Sequence, residues 1–383
     1  MSTTDSNCIT IEQESPEFVR ISTAAAMTLG FVPGNFFRGA KLYCLNLLLT
    51  YNNGCAARCA YCGLQRARQV KGHWKERSFI RVDWPVVSLN ELIQRMDNES
   101  CSHVERVCVS MLTNGKARED TLEVVRRLKG KTDAISGLIS PTVIDKEWLF
   151  ELKRAGADKV GVAIDTATPQ LFEKLRGKGV GGPHRWEKYW ETVDDSVDVF
   201  GRFEVGVHLI VGLGETEREI VDMIQRAYDI GALTHLFSFF AEEGSLMQGQ
   251  LQPPVGQYRR VQLARYLINK GISRVEEMTF DGGGRVIGLG INKTTLDEVV
   301  NSGLPFMTSG CDGKNMENAC NRPFSNCTPY QAYVGELRNY PFTPVEEDLK
   351  IIRKQLWDYS NIPTRIWIED LVGLEEPLIV PKV

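Results

Sequence analysis

The alternation of apolar and polar positions along the chain predicts repeated strand–helix units. Apolar, β-rich runs recur at intervals that leave room for a helix between them, which is the pattern of βα units around a parallel sheet. Because these runs are almost continuously hydrophobic, we expect both faces of the sheet to be covered. The six predicted strands lie at 43–50, 104–111, 134–139, 159–164, 203–211 and 234–240.

Capping residues mark the starts of the intervening helices. Ser88 and Thr216 are each followed three residues later by Glu, which fits the capping box. Asp145 and Thr168 are further N-cap candidates, and Pro169 follows Thr168 at the favoured first helical position. We therefore expect helices that begin just after these residues.

The regular alternation fades after the sixth strand. One amphipathic helix is predicted near 256–269 and a last helix near 344–359. This change of pattern favours an N-terminal extension over 1–40, a core over 41–250 and a C-terminal extension over 251–383.

Composition and charge exclude several classes of protein. A chain of 383 residues with 43% hydrophobic residues can bury a substantial core. Lys and Arg number 45 against 49 Asp and Glu, with no long basic run, so nucleic-acid binding is disfavoured. The polar N-terminus lacks the features of a signal peptide, and the apolar stretch at 42–49 is too short to cross a bilayer. We expect a cytoplasmic protein that does not enter a membrane.

Ten cysteines occur in the chain, and their grouping indicates metal binding. In a reducing compartment, tight groups of cysteines more often bind metals than form disulfides. Four cysteines are scattered singly, at Cys8, Cys44, Cys101 and Cys108. The other six form two groups: Cys55, Cys59 and Cys62, and Cys311, Cys320 and Cys327.

The first group has the spacing Cys-x3-Cys-x2-Cys and follows the first predicted strand, at the face where barrels place active sites. Three thiolates can hold three irons of a 4Fe-4S cluster and leave one iron without a protein ligand. The alternative is zinc, but zinc normally has four ligands, and the first histidine after Cys62 is His73. With Tyr61 directly before Cys62, the segment resembles the defining motif of the radical S-adenosylmethionine superfamily.

That resemblance implies an α/β fold, a partial (β/α)6 barrel of the TIM type, and a reducing 4Fe-4S cluster with S-adenosyl-L-methionine as cofactors. It also implies that several residues contact the cofactor from loops after the strands. For the glycines, an ordinary βα turn is the alternative, and for Asp165 it is capping of the helix that begins at Thr168. The implied residues are Tyr61, Thr113, Asn114, Asp165, Gly212, Gly214 and Glu215.

The second group places Cys311, Cys320 and Cys327 within seventeen residues. A structural zinc knuckle is one interpretation, but no histidine stands beside these thiols. Three thiols suit a second 4Fe-4S cluster, with either an exposed iron or a fourth ligand such as Ser309. For Cys327 a free buried thiol is the alternative. We expect the C-terminal extension to bring this auxiliary cluster over the barrel mouth, where it can donate a sulfide.

A barrel followed by a C-terminal cysteine group resembles the two-protein lipoyl synthases, within the biotin and lipoyl synthase-like proteins. The matching segments lie at 63–64, 176–186, 212–217, 308–311 and 320–323. The resemblance implies sulfur insertion, at C6 or C8, into an octanoyl chain on a lipoyl-carrier domain. It also implies a paired lipoyl synthase subunit as partner and a ferredoxin- or flavodoxin-type electron donor.

Two residues of the 176–186 segment are candidates for binding the substrate. His184 and Arg185 could contact the cofactor carboxylate or the substrate linkage, since Arg pairs with carboxylates in a bidentate manner. The alternative is an aromatic-rich loop with a structural role. Other functions remain open: sulfur insertion into dethiobiotin, a radical mutase or lyase related to methylornithine synthase, and a scaffold stabilised by zinc or a cluster.

Overall fold

The computed structural model describes residues 13–66, 68, 82–323, 331 and 337–361. Within these residues the strands are β1 (Phe18–Ile21), β2 (Cys44–Leu49), β3 (Val86–Ser88), β4 (Arg106–Ser110), β5 (Ile135–Ile139), β6 (Lys159–Asp165), β7 (Val205–Val211), β8 (Leu233–Ser238), β9 (Thr279–Phe280) and β10 (Val286–Gly288). The helices are α1 (Thr23–Thr28), α2 (Leu89–Arg95), α3 (Ala117–Leu128), α4 (Lys146–Ala155), α5 (Pro169–Leu175), α6 (Trp186–Phe200), α7 (Glu217–Ile230), α8 (Val255–Asn269), α9 (Lys293–Ser302) and α10 (Glu346–Leu356).

Six parallel strands form the centre of the fold, and each corresponds to a predicted strand. They are hydrogen-bonded in the order β2-β4-β5-β6-β7-β8. Helices follow the strands in the βα alternation that the sequence predicted. No pairing between β8 and β2 closes the sheet in the described part of the chain. The prediction of an α/β fold with a partial (β/α)6 barrel is confirmed.

Two short strands extend the sheet beyond β2, and the sequence did not predict them. β1 pairs antiparallel with β2, with Val19 opposite Leu49, and β3 pairs antiparallel with β1. Strands of three or four residues carry too little alternation to be recognised from sequence. The predicted domain boundaries at residues 40 and 250 stay a prediction.

Most predicted helix starts are confirmed by hydrogen bonds. The side chains of Asp145 and Thr168 accept bonds from the third amide along, and Thr216 forms a complete capping box with Glu219. Ser88 is the exception, because its side chain makes no capping hydrogen bond. Ser88 is also the last residue of β3, so its backbone position is set by pairing with β1.

The C-terminal extension does not lie where it was expected. Its segment 308–322 lies along the free edge of β8 and beneath the amino ends of the central strands. Ser309 Oγ accepts a hydrogen bond of 2.8 Å from Leu236 N, and Asp312 pairs with Lys159, the first residue of β6, at 3.0 Å. Cys311 and Cys320 are therefore at the amino-terminal end of the barrel, and the expectation that they cover the mouth is wrong. Packing of a segment between distant strands is a tertiary property that local spacing does not encode.

A membrane-spanning segment is not seen in the described residues, since none of their helices combines the necessary length and apolar character.

Candidate active site

The three-cysteine loop lies at the carboxyl ends of the strands and is anchored by its backbone. Cys55 N donates to Leu64 O at 3.4 Å, which closes the loop on itself. Ala56 N donates to Thr113 O, and Ala60 N donates to Leu175 O, both at 2.8 Å. The loop is thus attached to the segment that follows β4 and to the last residue of α5, so its cysteines are held over the barrel.

The thiols of this loop suit an iron–sulfur cluster. Cys55, Cys59 and Cys62 all face one cavity, and Cys62 Sγ accepts a hydrogen bond of 3.4 Å from Leu64 N. Burial raises the pKa of the Cys59 and Cys62 thiols. No three Cys, His, Asp or Glu side chains in the described residues are close enough to hold a single metal ion. A 4Fe-4S cluster does not need that proximity, because each of its thiolates binds a different iron.

A buried polar network stands beside the cysteine loop. The Tyr61 hydroxyl donates to Asp165 Oδ2 at 2.5 Å, and Arg176 Nη1 lies 3.3 Å from the same oxygen. Arg176 also donates to the carbonyl of Ile164 at 2.8 Å and is 4% exposed. Tyr61, Asp165 and Arg176 all line the cavity. Asp165 and Arg176 thus form an ion pair on the cavity wall, and the Tyr61 hydroxyl is hydrogen-bonded to it.

Asp165 does not cap α5. It ends β6 with a φ of 65°, a left-handed conformation that Asp tolerates better than most residues. The cap of α5 is instead made by Thr168, which accepts a hydrogen bond of 3.1 Å from Leu171 N. The side chain of Asp165 is therefore available to Tyr61 and Arg176.

The two substrate-binding candidates of the 176–186 segment have different environments. His184 lines the cavity, and its Nδ1 lies 2.6 Å from Thr142 Oγ1 and 3.0 Å from the Tyr189 hydroxyl. Burial, with Arg176 nearby, lowers the pKa of His184 far below its usual value, so the ring is neutral. Arg185 does not line the cavity, and its guanidinium donates to backbone carbonyls of its own segment.

The glycine segment after β7 is organised by Glu215. This carboxylate accepts hydrogen bonds from Gly212 N at 2.6 Å and Leu213 N at 2.9 Å. Burial raises the pKa of Glu215 to about 7, although these two amides act in the opposite direction. Gly212 and Gly214 have φ values of 105° and 115°, and a Cβ on Gly212 would stand 2.7 Å from the Pro253 ring.

The structure brings only some of the implied cofactor contacts to the cavity. Thr113 lines it, with its hydroxyl 2.9 Å from Ser140 Oγ. Asn114 does not, and its amide donates to Asn53 at 2.8 Å. The residues of the glycine segment are likewise outside the cavity wall. Contacts from all of these residues to S-adenosylmethionine stay a prediction.

The second cysteine group faces the same cavity from the opposite end. Cys311 and Cys320 line it together with Ser309, and Cys327 lies outside the described residues. A hydrogen bond from the Cys44 thiol is the main reason why the pKa of Cys320 is lowered to about 6. One cavity of about 250 Å³ thus joins two groups of thiols.

Sequence reasoning missed several cavity residues. Arg176 was noticed only as part of a matching segment, and Cys108, His208, His235 and Arg322 were not singled out. For the residues that lie in strands, the available signal was the alternation of inward-facing and outward-facing positions. Cys108 and His208 occupy alternate positions that point into a barrel, but choosing the inward face requires the register between strands.

The fold and the site define a barrel domain with a three-cysteine loop at its mouth. Residues 49–227 match the Radical SAM superfamily, and the chain carries a domain of that superfamily. The family implies a 4Fe-4S cluster and S-adenosylmethionine. The matched segment runs from the end of β2 to the third turn of α7 and includes the three-cysteine loop.

One curated relative is a probable GTP 3',8-cyclase of Thermococcus kodakarensis, 28% identical over 132 residues. That match covers 34% of this chain and 40% of the relative, so the chain spans about two fifths of the relative's length. It is not a lipoyl or biotin synthase, so the predicted sulfur insertion is not supported by this match.

Solved structures with a similar fold include a methylornithine synthase, 13% identical, with a TM-score of 0.45. It is matched over 65% of this chain and 67% of that one. HydG, a maturase of the [FeFe]-hydrogenase, is 12% identical with a TM-score of 0.45, over 60% of this chain and 50% of that one. At these scores neither likeness bears on the activity.

Proposed function

We propose that this protein is a radical S-adenosylmethionine enzyme that inserts sulfur into an unactivated C–H bond of a carrier-bound octanoyl chain. The observation that carries the proposal is the single cavity with the triplet thiols at one end and Cys311 and Cys320 at the other. A substrate carbon between them could meet the radical source on one side and a sulfide donor on the other.

Two clusters would supply the chemistry. A cluster held by Cys55, Cys59 and Cys62 would supply the single electron that cleaves S-adenosylmethionine to methionine and a 5′-deoxyadenosyl radical able to take a hydrogen atom from the substrate. A second cluster at Cys311 and Cys320 would supply the sulfide for the new C–S bond and take up the electron left over. A ferredoxin- or flavodoxin-type protein is the proposed electron donor.

The residues of the chain would bind and orient the reactants. Arg176, fixed between Asp165 and the carbonyl of Ile164, provides a buried cation for a carboxylate at the mouth. Tyr61 donates to Asp165 and keeps this carboxylate oriented. Neutral His184 is in a position to accept or donate a single hydrogen bond at the cavity wall.

The walls of the cavity favour an aliphatic chain as substrate. Leu48, Met111, Leu138, Ile210 and Phe237 line it between the two groups of thiols. Burial of methylene groups against such walls is worth about 0.8 kcal/mol each, so an extended acyl chain would bind without polar anchors along its length. A carrier domain could present that chain at the open mouth, and a paired subunit would make the second insertion.

The decisive experiment is an assay of anaerobically reconstituted protein with a chemical reductant and S-adenosylmethionine. An octanoylated lipoyl-domain, free dethiobiotin and GTP would be offered in parallel, with mass spectrometry of each product and with 5′-deoxyadenosine as the measure of radical formation. Thiolated octanoyl product is the expected result. Replacement of Cys55 by Ala is the control, since it should abolish 5′-deoxyadenosine as well as product.

Other outcomes point to the alternatives. Thiolation of dethiobiotin alone would identify a biotin synthase-type reaction. Conversion of GTP, the substrate in the name of the curated relative, would favour a cyclase. About four irons per chain with no thiolated product would refute sulfur insertion and favour a mutase or lyase.

A further inference from the structure

Two cysteines that stand far apart in sequence lie on neighbouring strands inside the barrel. Cys44 begins β2, and Cys108 is the third residue of β4. Asn46, two residues after Cys44, is the direct partner of Cys108 in the parallel register. Because alternate residues of a strand share a face, and because Asn46 and Cys108 both line the cavity, Cys44 also lies on the inner face of β2.

The C-terminal segment brings two more cysteines to the same place. The carbonyl of Cys311 accepts a hydrogen bond from Cys320 N at 3.0 Å, which holds these two residues side by side. Arg106 donates to the Ser136 hydroxyl at 2.8 Å and to the carbonyl of Asp312, the residue after Cys311, and Ser136 is the register partner of Cys108 on β5. Cys311 is therefore adjacent to the barrel strand that follows Cys108.

The side-chain amide of Asn46 joins a strand cysteine to a segment cysteine. The Asn46 amide donates to Cys44 Sγ at 3.9 Å and to Cys320 Sγ at 3.8 Å. Four thiols from three separate parts of the chain thus form one group at the amino-terminal end of the barrel.

The surroundings of this group are polar and include two arginines. Arg106, 2% exposed, donates to the carbonyl of Asp312 at 2.5 Å, next to Cys311. Arg322 forms no ion pair within the described residues and lies over the Phe237 ring at 5.4 Å. Arg106 is also paired with Asp158 at 2.6 Å, so of these two guanidinium groups only Arg322 is left to offset the net negative charge of a 4Fe-4S cluster with four thiolates.

A simple packing role does not account for these features. Buried thiols in an apolar core behave as small hydrophobes and need no polar neighbours. Here Asn46 Oδ1 and His235 Nδ1 are buried and have no hydrogen-bond partner among the described residues. Buried polar atoms without partners are costly and commonly mark a place where another group binds.

We infer that Cys44, Cys108, Cys311 and Cys320 together bind the auxiliary 4Fe-4S cluster, with two ligands from barrel strands and two from the C-terminal segment. This assignment rests on the proposed function for the existence of that cluster. It replaces Cys327 by Cys44 and Cys108, of which Cys108 lines the cavity with Cys311 and Cys320, and it leaves no iron of the cluster without a protein thiolate. The cluster would then close the amino-terminal end of the cavity.

The test uses full-length protein in which Cys55, Cys59 and Cys62 are replaced by Ala, so that only the second cluster can form. Iron, acid-labile sulfide and the electron paramagnetic resonance spectrum of the reduced protein are measured after reconstitution. We expect about four irons per chain, loss of iron or a changed spectrum on Cys44→Ser or Cys108→Ser, and no change on Cys327→Ser. Cys101→Ser is the matched control, because Cys101 is a buried thiol that donates to Thr28 O, outside the cavity.

The outcomes separate the inference from the proposed function. If the triplet-free protein keeps its four irons and the changes at Cys44 and Cys108 alter neither iron nor spectrum, the ligand assignment is wrong while the second cluster stands. If the triplet-free protein binds no iron, the second cluster is absent and both fail.

A second measurement needs no substitution beyond those of the triplet. A cluster with four protein thiolates has no open iron, so added cyanide should leave the spectrum of the triplet-free protein unchanged. A shifted spectrum would show an iron without a thiolate and would overturn the assignment.

Discussion

The buried carboxyl group of Glu215 provides a quantitative test of the glycine segment after β7. Its pKa is raised from 4.5 to about 7 by burial, while its carboxylate accepts the amides of Gly212 and Leu213. Because the pKa is higher in the folded state, the folded protein binds the proton more tightly. Stability is therefore greatest at low pH and decreases as the pH rises from about 4.5 to about 7.

The perturbation is Glu215→Gln, which cannot ionise. A difference of this size in pKa corresponds to about 3 kcal/mol of unfolding free energy, reached once the pH exceeds 7. For a chain of this length, unfolding as one unit, that amounts to about 4 °C in the midpoint of thermal unfolding. The variant should have nearly the same unfolding midpoint as the wild type near pH 5, and it should become progressively more stable than the wild type up to pH 8.

The assay is thermal unfolding of both proteins under argon, in the absence of S-adenosylmethionine, at several pH values. Comparing the two proteins at each pH removes the contributions of all other titrating groups. A difference in midpoint that stays constant from pH 5 to pH 8 would refute the raised pKa. A variant that becomes relatively less stable as the pH rises would show that the ionised carboxylate stabilises the segment.

Three further predictions concern single side chains. Gly212→Ala should destabilise the protein by more than about 1 kcal/mol, because Gly212 has a positive φ and an added Cβ would collide with the Pro253 ring. Gly282→Ala should change the midpoint of thermal unfolding little, because the space around Gly282 is open. Thr216→Ala removes the capping box of α7 and should lower the unfolding free energy by about 1 kcal/mol. Ser88→Ala removes no capping bond and should leave the unfolding free energy almost unchanged. Equal losses in the two variants would contradict the capping assignment. Tyr61→Phe removes a hydrogen-bond donor to the buried carboxylate of Asp165, so we expect a loss of about 1.5 kcal/mol or more of unfolding free energy and slower formation of 5′-deoxyadenosine. An unchanged rate would exclude an orienting role for Tyr61.

The strands and the first cysteine group could be predicted because their signals are local. Six apolar runs predicted six strands, since a strand buried on both faces needs continuous hydrophobicity. Cys55, Cys59 and Cys62 lie within eight residues of one loop, so their spacing alone indicates that they bind one cluster. The N-cap at Asp145 was recognisable for the same reason, because the capping bond spans three residues.

The rest required tertiary structure. Arg176 reaches Asp165 only because α5 turns back over the end of β6. Cys44 and Cys108 appear unrelated in sequence, and only the parallel register of β2 and β4 places them near each other.

The sequence by itself thus determined the βα order and the reducing-cluster motif, both of which depend on contacts between near neighbours in the chain. Only the tertiary structure decided that Cys311 and Cys320 lie beneath the barrel rather than over its mouth. The physical reason is that the position of the C-terminal segment depends on hydrogen bonds and ion pairs to strands more than a hundred residues away, such as the pair between Asp312 and Lys159.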